Sequence, residues 1–150
     1  MNKLDEACKE AYKNNETNCS GFLRDVCAQL NVTIDQGNAD SIATFLESQW
    51  TKLGGHAAAK TAVDNEELVV AALKSSDSNK NPKPTHGHVA IVVPGELYRK
   101  IYPKVYCGGM SPLGRSQGDK SVGEIWATVD RDSVKYYQAP VAPDGLFKEI

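Results

Sequence analysis

The chain has 150 residues and a net charge of −2, from 17 basic and 19 acidic side chains. With no basic run, that balance excludes the electrostatic footprint of a nucleic-acid binder. Hydrophobic residues make up 41% and charged residues 24%, and no apolar stretch approaches the length of a membrane span.

In chain order, Leu4, Ala7, Cys8, Ala11 and Tyr12 recur at helical spacing and predict an amphipathic helix over 3–13. Before it, Met1 to Cys8 holds no apolar region of the signal-peptide kind. A protein with this start, if it works outside the cytoplasm, is not expected to leave by the general secretory route. Asn14 to Asn18 form a polar break. Phe22, Leu23, Val26, Cys27 and Leu30 then predict a second helix with one buried face, capped by Asn18 and carrying Cys19 in its first turn. Asn38 or Asp40 caps a third helix with Ile42, Phe45, Leu46 and Trp50 on one face, ended by Gly54-Gly55. Ala57 to Val63 reads as a further short helix.

The pattern then changes. Leu68 to Leu73 reads as a strand, and Val89 to Val93 as a stronger one. Between them, Ser75 to Thr85 is rich in Ser, Asn, Lys and Pro and reads as a long solvated loop. Further strands are expected at Lys104–Cys107, Glu124–Val129 and Val134–Gln138, with a glycine-rich mobile loop over Gly108–Gly123. Helices first and strands after argue for an α+β domain with helices packed on an antiparallel sheet. The length suits a single domain over 1–150 with one core.

The four cysteines, Cys8, Cys19, Cys27 and Cys107, are too sparse for a disulfide scaffold and contain no Cys-x-x-Cys pair. His56, His86 and His88 form no zinc pattern with them. Neither a metal nor another cofactor is expected.

Cys19 is the candidate nucleophile. The unpaired N–H groups of a helix start favour a thiolate and are expected to lower its pKa below the free value of about 8.5. Cys27, on the same apolar stripe, reads as core, as does Cys8; a Cys8–Cys27 bridge stays open. A cysteine hydrolase also needs an imidazole. His56 follows Gly-Gly on an expected exposed turn and reads as solvated. His86 and His88 lie two apart, as on one strand face. His88 opens the apolar strand, where packing can lock its rotamer, and is preferred as base. No Asn, Asp or Gln presents itself as a third group. Cys107 precedes Gly108-Gly109 on the next strand, and antiparallel pairing would bring it near His88.

Asn18-Cys19-Ser20-Gly21-Phe22 followed by Gly87-His88-Val89-Ala90-Ile91 resembles the signature of NlpC-type, papain-like cell-wall peptidases. The resemblance extends over most of the chain. Ser48 to Leu53, Leu97-Tyr98-Arg99, Tyr102-Pro103, Cys107-Gly108, Ser116-Gln117-Gly118, Lys120 to Gly123 and Asp130-Arg131-Asp132 through Tyr136-Tyr137 are similar, in order, to the first family of type VI secretion amidase effectors.

That resemblance implies a papain-like fold and hydrolysis of the peptidoglycan stem between D-glutamate and meso-diaminopimelate. It implies Cys19 as nucleophile, His88 as base and Cys107 as a third active-site member. It also implies injection by a type VI apparatus into a rival's periplasm, and a cognate immunity protein that blocks the site. The protein is expected to be a monomer that does not insert into membranes. Two features depart from the family pattern: the Ser75–Thr85 loop is longer than usual, and no cysteine follows Cys107 to bridge Cys8 to the C-terminal tail. The rival readings are a cell-wall peptidase, endogenous or horizontally acquired, of the same chemistry, and a non-catalytic module that holds stem peptides.

Overall fold

A computed structural model describes residues 1–150. Three helices come first: α1 (Lys3–Asn15), α2 (Cys19–Gln29) and α3 (Ala39–Gln49). Each starts at an asparagine, Asn2, Asn18 or Asn38, whose side chain accepts a backbone N–H of the first turn. The strand β1 (Thr51–Leu53), the helix α4 (His56–Asp64) and the strands β2 (Val69–Leu73), β3 (His88–Val92) and β4 (Lys104–Cys107) follow. The chain continues through β5 (Ser116–Ser121) and α5 (Val122–Ile125) to β6 (Lys135–Gln138).

The six strands form one sheet in the order β1-β6-β2-β3-β4-β5, antiparallel at every pairing. The fold is α+β and papain-like. Strand periodicity divides the core between two faces. Val70, Ala72, Val89 and Ile91 pack with Phe22, Leu23, Val26, Ile42 and Leu46 of α2 and α3. Val69, Ala71, Ala90, Val92 and Cys107 pack with Ala59 and Val63 of α4 and with Val122, Ile125 and Trp126. Helices therefore cover both faces. No helix is long and apolar enough to cross a membrane.

The structure corrects several expectations. The third helix ends at Gln49, and Thr51–Leu53 pairs with β6 in place of continuing the helix. The glycine-rich loop contains β5, an edge strand of polar residues that pairs with β4. Glu124–Val129 is not a strand: Val122–Ile125 is a helical turn at whose start Ser121 N–H donates to Glu124 Oε1 at 2.9 Å, and Ile125 and Trp126 reach the core from it. The Ser75–Thr85 loop is solvated over most of its length, as expected, but it is tied down at one point, where the buried Asp130 accepts from Ser78 Oγ at 2.7 Å and from Asn79 N–H at 2.6 Å. All four cysteines are free, so Cys8 and Cys27 are not bridged.

Candidate active site

Cys19 is the first residue of α2. Asn18 Oδ1 fixes the helix start by accepting from Gly21 N–H and from Ser20 Oγ, both at 2.9 Å. The Cys19 sulfur faces the backbone N–H groups of Val89, Ser20 and Cys19 itself. Val89 follows His88 directly, so the thiol lies against the opening of β3.

These N–H groups do not lower the thiol pKa as the helix start alone leads one to expect. Burial raises it above its ordinary value, and the three N–H groups offset only part of that rise. Burial acts the same way on the imidazole. The His88 ring packs edge-on against Trp126 at 5.0 Å between centroids. Desolvation, with a smaller push from the Lys80 charge, lowers its pKa to about 4, opposed by a hydrogen bond to the Gly114 carbonyl. The free site therefore rests as neutral thiol and neutral imidazole.

His88 is the first residue of β3, and its Nε2 lies 3.0 Å from the Gly114 carbonyl oxygen. A carbonyl only accepts, so Nε2 carries the proton. Nδ1 is then the nitrogen with a lone pair. The acceptor at the imidazole N–H is thus a backbone oxygen; sequence allows a backbone carbonyl in that role, but no side-chain pattern shows which one. Trp126 and the Val89 N–H were missed as well.

Cys107 closes β4 and is fully buried. Its sulfur lies 3.7 Å from His88 Nε2 and donates to the same Gly114 oxygen at 3.3 Å. Burial, chiefly, and the neighbouring Cys19 push this thiol far up, so it stays protonated. The structure brings Cys107 to His88 and seats Cys19 on the adjoining backbone; no hydrogen bond joins Cys19 to the imidazole. Gly108 and Gly109 lock the arrangement. Gly109 N–H donates to the Glu16 carbonyl at 2.9 Å, in the turn that leads to Cys19.

The other histidines lie apart from this group. His86 is exposed and precedes β3, so it shares no strand face with His88. His56 is not a solvated turn residue. It opens α4 and bonds Tyr136 Oη at 2.6 Å and Asp132 Oδ1 at 3.1 Å, and Tyr102 Oη donates to that same Asp132 oxygen at 2.9 Å. No set of three His, Cys, Asp and Glu side chains converges so as to hold a metal ion.

A helix-start thiol on one face of an antiparallel sheet, beside a strand that opens with a packed histidine, defines the papain-like class of the NlpC type. Within that class, the chain is 40% identical to the peptidoglycan amidase Tse1 of Pseudomonas aeruginosa over 158 aligned residues, covering 97% of each chain. No protein-family model matches. At that identity and coverage the chain belongs to the type VI secretion amidase effector family.

Proposed function

We propose that this chain is an antibacterial peptidoglycan amidase that cuts the γ-D-glutamyl–meso-diaminopimelate bond of stem peptides by acyl transfer from Cys19. The observation that carries the reading is the Cys19 thiol against the N–H of Val89, the residue that follows His88, whose imidazole carries its proton on Nε2, in a chain related to a protein named as a peptidoglycan amidase.

His88 Nδ1 takes the thiol proton as sulfur attacks the γ-glutamyl carbonyl. The proton passes to the departing diaminopimelate amine as the C–N bond breaks. His88 then activates water, which releases the glutamate carboxylate and frees the thiol. Backbone N–H groups at the start of α2, that of Cys19 among them, would stabilise the oxyanion. Both partners start neutral, so substrate binding need not desolvate a preformed ion pair.

Cys107 flanks the imidazole as a neutral thiol that shares its acceptor. In this reading the protein enters a rival's periplasm through a type VI apparatus, and a cognate immunity protein protects kin by covering the cleft. Expression directed to each compartment of a Gram-negative host tests the biological part. Periplasmic wild-type protein should lyse the cells, while cytoplasmic protein and periplasmic Cys19→Ala should be harmless. Equal toxicity of the periplasmic wild type and Cys19→Ala would refute the hydrolytic role.

A further inference from the structure

The orienting oxygen of Gly114 needs a support of its own. It ends the short turn Pro112–Gly114, on a loop whose Met110 and Leu113 are 74% and 77% exposed. A side chain that orients a histidine is fixed by its rotamer and packing. A carbonyl on an exposed turn aims wherever the turn is held.

Within the turn, Gly114 N–H donates to Ser111 O at 3.0 Å, which closes the loop without anchoring it. From the flanking strands, Cys107 Sγ donates to Gly114 O itself at 3.3 Å and Lys120 Nζ reaches Pro112 O at 3.4 Å, but neither ties the 109–113 stretch to the turn before Cys19.

Arg115 anchors the loop as a whole. Its side chain is only 18% exposed. Nε donates to the Gly109 carbonyl at 2.8 Å and Nη2 to the Met110 carbonyl at 3.3 Å, so one face of the fork grips two successive carbonyls. Nη1 reaches Glu16 Oε1 at 3.4 Å. Glu16 sits at the end of α1, three residues before Cys19, and its backbone already accepts from Gly109 N–H.

We infer that Arg115 is a positioning residue that clamps the 109–115 loop to the turn before Cys19 and so holds the Gly114 carbonyl on His88 Nε2. An exposed arginine–glutamate pair alone would contribute little. Here the planar fork closes the loop on itself, which a lysine's single-point ammonium cannot reproduce. One side chain thereby couples the segment carrying the nucleophile to the group that orients the base. This inference rests on the proposed role of His88.

The test reads the imidazole itself. In histidine-labelled wild-type protein at neutral pH, two-bond proton–nitrogen correlation should show His88 as a single Nε2–H tautomer. Arg115→Met should give mixed tautomers and a kcat on sacculi reduced on the order of tenfold, with KM little changed. Arg115→Lys should recover only part of either. A folded Arg115→Met with the wild-type tautomer and kcat would overturn the inference, even if its Tm has dropped, because that is how a merely structural prop behaves. If Arg115→Met does not fold, Arg115→Lys carries the test, and a fully fixed tautomer with wild-type kcat in it would overturn the inference equally. The two claims fail separately. Full turnover by Cys19→Ala would defeat the proposed chemistry, yet the tautomer would still report on the clamp.

Discussion

Gly108 lies with its Cα against the backbone carbonyl of Asn15: a Cβ there would overlap that oxygen and sit 3.0 Å from the Asn18 carbonyl. Both contacts are backbone, so neither can swing aside. The close approach sets the end of β4, with Cys107, against the turn that positions Cys19.

Gly108→Ala should therefore force the two segments apart. The expected cost is about 1–3 kcal/mol, typical of overpacking. Turnover should fall further than stability explains, because the separation moves Cys19 relative to His88. Unchanged melting temperature and unchanged kcat in Gly108→Ala would show that the contact does not constrain the site.

The neutral resting pair has a pH signature. Because His88 is held near 4, the acid limb of kcat/KM should fall between about pH 4 and 5, below the ordinary histidine range of about 6.5. The stability sign follows from the same shift. The unfolded chain takes up the His88 proton first as pH falls, so folding loses stability as pH drops from about 6.5 through about 4. The stability difference between wild type and His88→Gln should shrink across that window. A flat difference, or an acid limb near 6.5, would show that the imidazole is not desolvated.

Replacing each of the two neighbouring histidines separates their roles. His88→Ala should lower turnover at least about a hundredfold, the low end of a general-base contribution. His86→Ala should leave it nearly unchanged, since His86 is exposed outside β3. The opposite ranking would assign the base to the loop.

Much of this arrangement is legible in the sequence. Periodicity of 3.6 residues placed α1, α2 and α3, with a cap at Asn18 for α2 and at Asn38 or Asp40 for α3, and continuous apolar runs placed β2 and β3, because in these segments local preference and burial agree. Polar β5 defeated the same reasoning. Ser116 to Ser121 is an edge strand held by pairing to β4, not by an apolar face. Ile125 and Trp126 misled in the other direction, since their burial comes from a helical turn. His56 looked solvated because its partners, Asp132 and Tyr136, are distant in sequence. The positions of Cys19, His88 and Cys107 could be read from helix start, strand start and strand pairing. The Gly114 oxygen could not, since every residue has a carbonyl and only the fold aims this one.

Cys107 can now be tested against its acceptor. Its thiol donates to Gly114 O beside His88 Nε2, so Cys107→Ala removes a neighbour of the imidazole and leaves the orienting bond in place. A modest fall in kcat, less than about tenfold, is expected, with a stability loss on the order of 1 kcal/mol from the small cavity. Unchanged turnover with reduced stability would restrict Cys107 to packing. Complete inactivity of a folded variant would make the thiol indispensable, contrary to the Gly114 assignment.

The most direct measurement is mass spectrometry of muropeptides from purified sacculi digested in parallel with wild-type protein and Cys19→Ala. Wild type should release stem peptides that begin at meso-diaminopimelate and leave the muramyl chain ending in D-glutamate. Folded Cys19→Ala should release neither. Cleavage at another bond, or the same products from Cys19→Ala, would contradict the account.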